Sequence, residues 1–279
     1  MHGEALELVA AINRARHAAG TVAGVNVVVG FGHRLWTLLA PDEMPEGFGD
    51  FESIAGPDGF AMASAQHDMW VWLHGAGSDG VFAVARIVAA ELAPFASIVT
   101  EQASFMFGAS LDLTGFEDGT ENPPIDEAVE VATIPAGCGC AGGSVVLLQR
   151  WVHDLDGFAA LEPPEREGVF GRTLYGSVEL DEDVQLPTSH VRRVVIEDGA
   201  GEELEVFRRS TAYGGVRENG LVFVAFSADR ARLQRMLERM AGVEDGQRDR
   251  LTEFSAPVAS AWYVAPPLEL LRMLDPTTG

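Results

Sequence analysis

The fold is decided at residues 111–123, LDLTGFEDGTENP, read together with TSHVRR at 188–193 and ELEVFRRSTAYG at 203–214. In the first stretch, Gly115-Phe116-Glu117-Asp118-Gly119 sets an acidic residue between two glycines, directly after a short alternating segment. Glycine lets the backbone turn sharply there and hold a carboxylate in one direction. An Asp-Gly pair after a strand is also an ordinary turn, and alone it says no more. In the last stretch EVFRR alternates, so Arg208 and Arg209 face opposite sides and only one of them can enter a pocket. His190 follows Pro187-Thr188-Ser189, outside any periodic apolar run. A lone histidine has many uses. The order of the three segments is what gives this one weight.

Outward from these segments, strands and helices alternate. Residues 5–18 read as an amphipathic helix, and Val-rich 21–32 as a strand bounded by glycine. A Pro- and Gly-containing loop runs to about residue 60. MWVWLH at 69–74 is a second strand, VFAVARIVAAEL at 81–92 a helix, and 96–107 an extended segment leading into the glycine motif. The rhythm then repeats. SVVLLQRWVHD at 144–154 reads as a strand, and 156–173 as a helix interrupted at Pro163-Pro164. Residues 203–208 and 221–226 read as strands, and Asp229 caps a helix that stops at Gly242. The pattern predicts an α+β protein of two similar halves, 1–135 and 136–279, with GFEDG near the end of the first.

Composition mostly excludes. The 279 residues are 47% hydrophobic, enough for a large core, and 19 Lys plus Arg against 42 Asp plus Glu give a formal charge of −23. Such a field repels nucleic acid and anionic lipid, so neither is expected as a partner. No signal-peptide pattern and no apolar run long enough to cross a bilayer is read, which leads to the expectation of a cytoplasmic protein. Cys138 and Cys140 are too close for an unstrained disulfide, too few for a structural zinc site, and lack the C-x-x-C-H pattern of covalent haem attachment. Trp70, Trp72, Trp151 and Trp262 are read as core or interface residues.

Together GFEDG, SHVRR and VFRRSTAYG resemble the signature of the dye-decolorising peroxidases, closest to the shorter type B members, over nearly the whole chain including SAWYVAP at 260–266. The resemblance implies two ferredoxin-like halves, each an antiparallel sheet with packed helices, in a dimeric α+β barrel-like arrangement. It implies one non-covalent haem b per chain, with His190 as the proximal iron ligand and Asp118 and Arg208 as the catalytic pair. The expected reaction is reduction of hydrogen peroxide coupled to one-electron oxidation of organic reductants such as dyes and phenols. A haem carrier or sensor without turnover is the alternative. Such relatives are often homo-oligomers, so a dimer or larger is expected.

Further expectations attach to single residues. Glu203, with Glu202 and Glu205 behind it, is the candidate acceptor for the second nitrogen of His190, because such a hydrogen bond fixes the tautomer of a ligating histidine. Ser210 stands where several relatives have an asparagine, and is placed beside the distal water. Leu221 and Phe223, two apart in NGLVFVAFS, are expected to share an apolar face over the haem, with Phe116 next. Gly119, Thr120 and Asn122 are placed at the haem edge.

Overall fold

The strand Ser144–His153, SVVLLQRWVH, carries apolar residues on both faces because both are covered. Val145, Leu147 and Trp151 join one buried cluster, whereas Val146 joins another. The computed structural model describes residues 2–22, 24–75 and 77–277. In chain order these form α1 (His2–Ala19), β1 (Val25–Phe31), α2 (His33–Leu39), β2 (Ile54–Ala55), β3 (Ala61–Met62), β4 (Met69–Gly75), α3 (Ser78–Leu92) and β5 (Ser104–Phe105). There follow α4 (Ala128–Ala132), β6 (Ser144–His153), α5 (Leu155–Ala159), α6 (Pro163–Phe170), α7 (His190–Val194), β7 (Phe207–Arg208) and β8 (Thr211–Gly214). The chain closes with β9 (Asn219–Ser227), α8 (Arg230–Ala241), β10 (Ser255–Ala265) and α9 (Leu268–Met273).

The α+β expectation holds. Among the described residues, eight strands form one antiparallel sheet in the order β4-β1-β10-β6-β9-β8-β5, with β7 also on β9. The two halves therefore share a sheet: β1 and β4 extend one end beside β10, and β5 closes the other against β8. Helices α1, α3 and α8 cover one face through Leu8, Ile12, Val88, Leu233 and Leu237, against Val29, Leu147, Trp262 and Val264. Burying each of these large side chains contributes about 1.5–3 kcal/mol. The opposite face carries Val146, Val224, Ala261 and Tyr263, with Trp70 packed on them. Trp151 and Trp262 are core residues as expected, while Trp70 and Trp72 stack on each other, half-buried. No helix of the described residues is long and apolar enough to cross a membrane.

Three segments depart from the sequence reading. HRLWTLL, placed in a loop, forms α2, where Trp36 and Leu39 find the core; tertiary burial decides a segment this short. Of 96–107 only Ser104 and Phe105 pair as a strand, and Ile98, Val99 and Met106 lie exposed. Of 203–208 only Phe207 and Arg208 join the sheet. The helix at 156–173 divides into α5 and α6 with proline in the first turn of the second, as the Pro163-Pro164 pair predicts.

Candidate active site

The GFEDG turn is built from its glycines. Gly115 and Gly119 take φ values of +94° and +81°, a region that costs other residues about 1–2 kcal/mol. The turn folds back on the preceding segment: Asp112 N–H donates to the Phe116 carbonyl at 2.8 Å and Asp118 N–H to Ser110 at 2.9 Å. Phe116 is buried in an aromatic cluster rather than open at the turn. It is 1% exposed and stacks on Phe170 at 3.9 Å, within a cluster that includes Phe158. It anchors the turn, and Phe170 in turn meets the His190 ring edge-on at 6.0 Å. A Cβ at position 119 would stand 2.8 Å from Asn122 Nδ2. Gly119→Ala is accordingly expected to destabilise the protein by about 1–3 kcal/mol, read as a lower urea midpoint at unchanged slope.

Arg208 reaches the site through sheet register. It pairs with Ala225 and so shares that residue's face with Leu221 and Phe223, both half-buried. Arg209 turns the other way, its guanidinium 5.1 Å from the Phe207 ring, so the alternation read from EVFRR holds. Among the described residues the Arg208 side chain makes no hydrogen bond or ion pair, and its Nε is buried without a partner. Asn122, half-buried, meets the Arg208 main chain. Its Oδ1 accepts from Arg208 N–H at 2.7 Å and its Nδ2 donates to the Arg208 carbonyl at 3.0 Å, so both ends of the amide meet the same residue. Thr120 is exposed beside it.

His190 opens α7, and its Nδ1 is 2.7 Å from Asp249 Oδ2. Asp249 is fully buried, and its other oxygen accepts from Leu251 N–H at 2.9 Å at the start of the 3-10 turn Arg250–Glu253. Arg250 N–H also donates to the Thr188 carbonyl, tying the two loops together. The acceptor for His190 is thus Asp249, not Glu203, Glu202 or Glu205. A side chain fixed at its own helix cap holds an imidazole better than an exposed glutamate on a loop. Glu203 instead lies among Glu121, Glu179 and Glu205, and partial burial together with those charges pushes its carboxyl up. Arg172 draws Glu121 and Glu179 together by ion pairs to both. The Nε2 of His190 has no hydrogen-bond partner among the described residues.

Asp118 lies within electrostatic reach of both Arg208 and His190. Loss of water around it pushes its carboxyl above the usual range, opposed by Arg208, reinforced by Asp112, and opposed again by His190 and the nearby Ser210 hydroxyl. Ser210 Oγ is enclosed, with the Asp118 carboxylate as its neighbour among the described residues. Behind the turn, Asp112 Oδ2 lies 3.0 Å from His153 Nε2, whose Nδ1 meets Ser255 Oγ at 2.8 Å. Burial would raise the Asp112 carboxyl, but His153 and Thr114 together hold it below the ordinary value. Neither Asp249 nor the Asp112–His153 pair was read from the sequence. Asp249 shows there only as a cap residue before RLTEF, 59 positions from the histidine it holds.

Two family models match in tandem: the Dyp-type peroxidase N-terminal model over residues 8–106 and the C-terminal model over 109–270, which contains all three segments. A dye-decolorizing peroxidase of Rhodococcus erythropolis is 31% identical over 89% of this chain and 74% of its own length. DyPB from Rhodococcus jostii RHA1 superposes with a TM-score of 0.91 at 30% identity, covering 99% of this chain and 89% of that one, and a variant of it was solved in complex with heme. A dye-decolorizing protein from V. cholerae, 32% identical, covers 96% of this chain and 90% of its own with a TM-score of 0.87. With Asp118 in electrostatic reach of both Arg208 and the carboxylate-held His190, and with the two family models matching in tandem over residues 8–106 and 109–270, the chain belongs to the Dyp-type peroxidase family.

Proposed function

We propose that this peroxidase reduces hydrogen peroxide to water and draws the electrons singly from organic reductants such as dyes and phenols, with one haem b held non-covalently per chain. The observation that carries the reading is the pairing of unmet groups. Among the described residues Arg208 Nε is buried without a partner, and His190 offers Nε2 while Asp249 fixes Nδ1. These residues fit a haem: His190 would ligate the iron, Leu221 and Phe223 would cover the ring on the face that Arg208 shares, and Gly119 and Thr120 lie at the turn beside it. Held by these residues, haem would supply the redox chemistry: two electrons for cleavage of the peroxide O–O bond, made good singly by the organic donor.

The protein's part is proton transfer and charge. As a carboxylate, Asp118 takes a proton from one peroxide oxygen and returns it to the other, which leaves as water. The guanidinium of Arg208 offsets negative charge growing on the departing oxygen. Ser210 is short and keeps to a hydrogen bond with distal water. A cytoplasmic homo-oligomer, a dimer or larger, and a division into halves 1–135 and 136–279 belong to the same reading.

The raised carboxyl of Asp118 gives the pH dependence a sign. A base works only when ionised, so the rate with peroxide is present above its pKa and is lost as pH falls through it. Because the shift is upward, that acid limb is expected above the value of about 3.9 typical of a free aspartate. Stopped-flow absorbance of the reconstituted protein tests both points. A rapid spectral response to peroxide with a limb that disappears in Asp118→Ala supports the reading; a Soret band indifferent to peroxide would leave a carrier.

A further inference from the structure

Among the described residues the Arg208 guanidinium makes no hydrogen bond or ion pair of its own. Its position must therefore be inherited from the main chain that carries it. β7 is only Phe207 and Arg208, paired on one edge with Phe226 and Ala225 of β9. Arg209 N–H points to the same neighbour, donating to the Val224 carbonyl at 2.8 Å. Arg208 N–H and C=O face the other edge, where Asn122 meets both, at 2.7 and 3.0 Å. The amide stands in for one residue of an adjacent strand, with a donor and an acceptor spaced as a peptide group spaces them.

The same residue belongs to the Asp118 turn. Asn122 N–H donates to the Gly119 carbonyl at 3.1 Å, and Gly119 lacks a Cβ where one would strike Asn122 Nδ2. One side chain thus joins the loop carrying the base to the strand carrying the cation. Aspartate at this position would offer only acceptors and face the Arg208 carbonyl with a charge; alanine would offer nothing.

We propose that Asn122 is a positioning residue that registers Arg208 against Asp118, gripping the Arg208 main chain so that its guanidinium stays unspent for the substrate. The claim rests on the peroxidase reading of Arg208, and its test separates the two. Hydrogen–deuterium exchange of the peptide containing Arg208 is measured on haem-free and haem-loaded protein for wild type, Asn122→Ala and Asn122→Asp. The Arg208 amide is expected to exchange at least tenfold faster in Asn122→Ala, with a smaller change in Asn122→Asp, which keeps the acceptor. In stopped flow the peroxide rate should fall about tenfold in Asn122→Ala, while Asn122→Ala/Arg208→Leu behaves as Arg208→Leu alone. Wild-type exchange, a wild-type peroxide rate, or losses that multiply in the double variant would overturn the proposal. Should Asn122→Ala fold poorly, Asn122→Asp carries the same comparison. A wild-type rate in Arg208→Leu would overturn the role of Arg208 itself, while amide exchange would still decide whether Asn122 holds the strand.

Discussion

Arg208→Leu is expected to react with hydrogen peroxide about 10²–10³-fold more slowly than wild type, the range found when one preorganised donor to a developing oxyanion is removed. The size follows from how the arginine is kept. A guanidinium already paired to carboxylates would have spent its charge, but this one makes no ion pair among the described residues and is placed by strand register and Asn122. It acts electrostatically on Asp118, whose carboxylate it stabilises against the cost of burial. Removing the positive charge therefore raises the Asp118 pKa further. The acid limb of the rate should move to higher pH in Arg208→Leu, so that the deficit is larger at pH 5 than at pH 8. Arg208→Lys should return the limb toward wild type, because the charge is restored, while recovering only part of the rate, because a point ammonium cannot reproduce the planar fork. Stopped-flow rates of each reconstituted variant across that range check the magnitude and the sign. An equal deficit at all pH values would separate Arg208 from the ionisation of Asp118.

Much of this site is legible in the sequence where local rules govern it. Two glycines around Phe-Glu-Asp demand a turn, and both adopt left-handed φ. Alternation along EVFRR separates Arg208 from Arg209, and alternation along NGLVFVAFS puts Leu221 and Phe223 together on the Arg208 face. The cap at Asp229 and the stop at Gly242 bound α8 as their chemistry requires. What escaped the sequence depends on long-range contact. Phe116 is expected next to Leu221 and Phe223 over the haem, but Phe158 and Phe170 come from a distant segment to bury it. The grip of Asn122 on the main chain of a strand 86 positions away, through both ends of its amide, has no local signal either. Glu203 was favoured for His190 because it precedes the arginine segment; sequence proximity to a motif says nothing about which loop folds behind an imidazole.

That displaced partner gives the second large effect. Asp249→Asn is expected to weaken haem binding by about 10–100-fold, the usual consequence of removing a carboxylate behind a ligating histidine. Both carboxylate oxygens are in use, one by His190 Nδ1 and one by Leu251 N–H. Asparagine supplies a single acceptor, so in either orientation its NH2 group opposes one of two donors in a fully buried position. If it keeps the cap, the imidazole loses its acceptor and, with it, both its fixed tautomer and the electron density the carboxylate lends to the ring. If it keeps the histidine, a buried backbone N–H is stranded at a cost of about 1–3 kcal/mol, and the loop tied to Thr188 loosens. The two outcomes differ in measurement: the first shows as faster haem transfer to an acceptor protein and a raised ferric/ferrous midpoint potential, the second as a lower denaturation midpoint of the haem-free chain. Glu203→Gln serves as the comparison, since it lies among carboxylates rather than at His190, and should transfer haem at the wild-type rate. Faster transfer in Glu203→Gln and none in Asp249→Asn would reinstate Glu203, and would mean that the hydrogen bond between His190 and Asp249 does not survive haem binding.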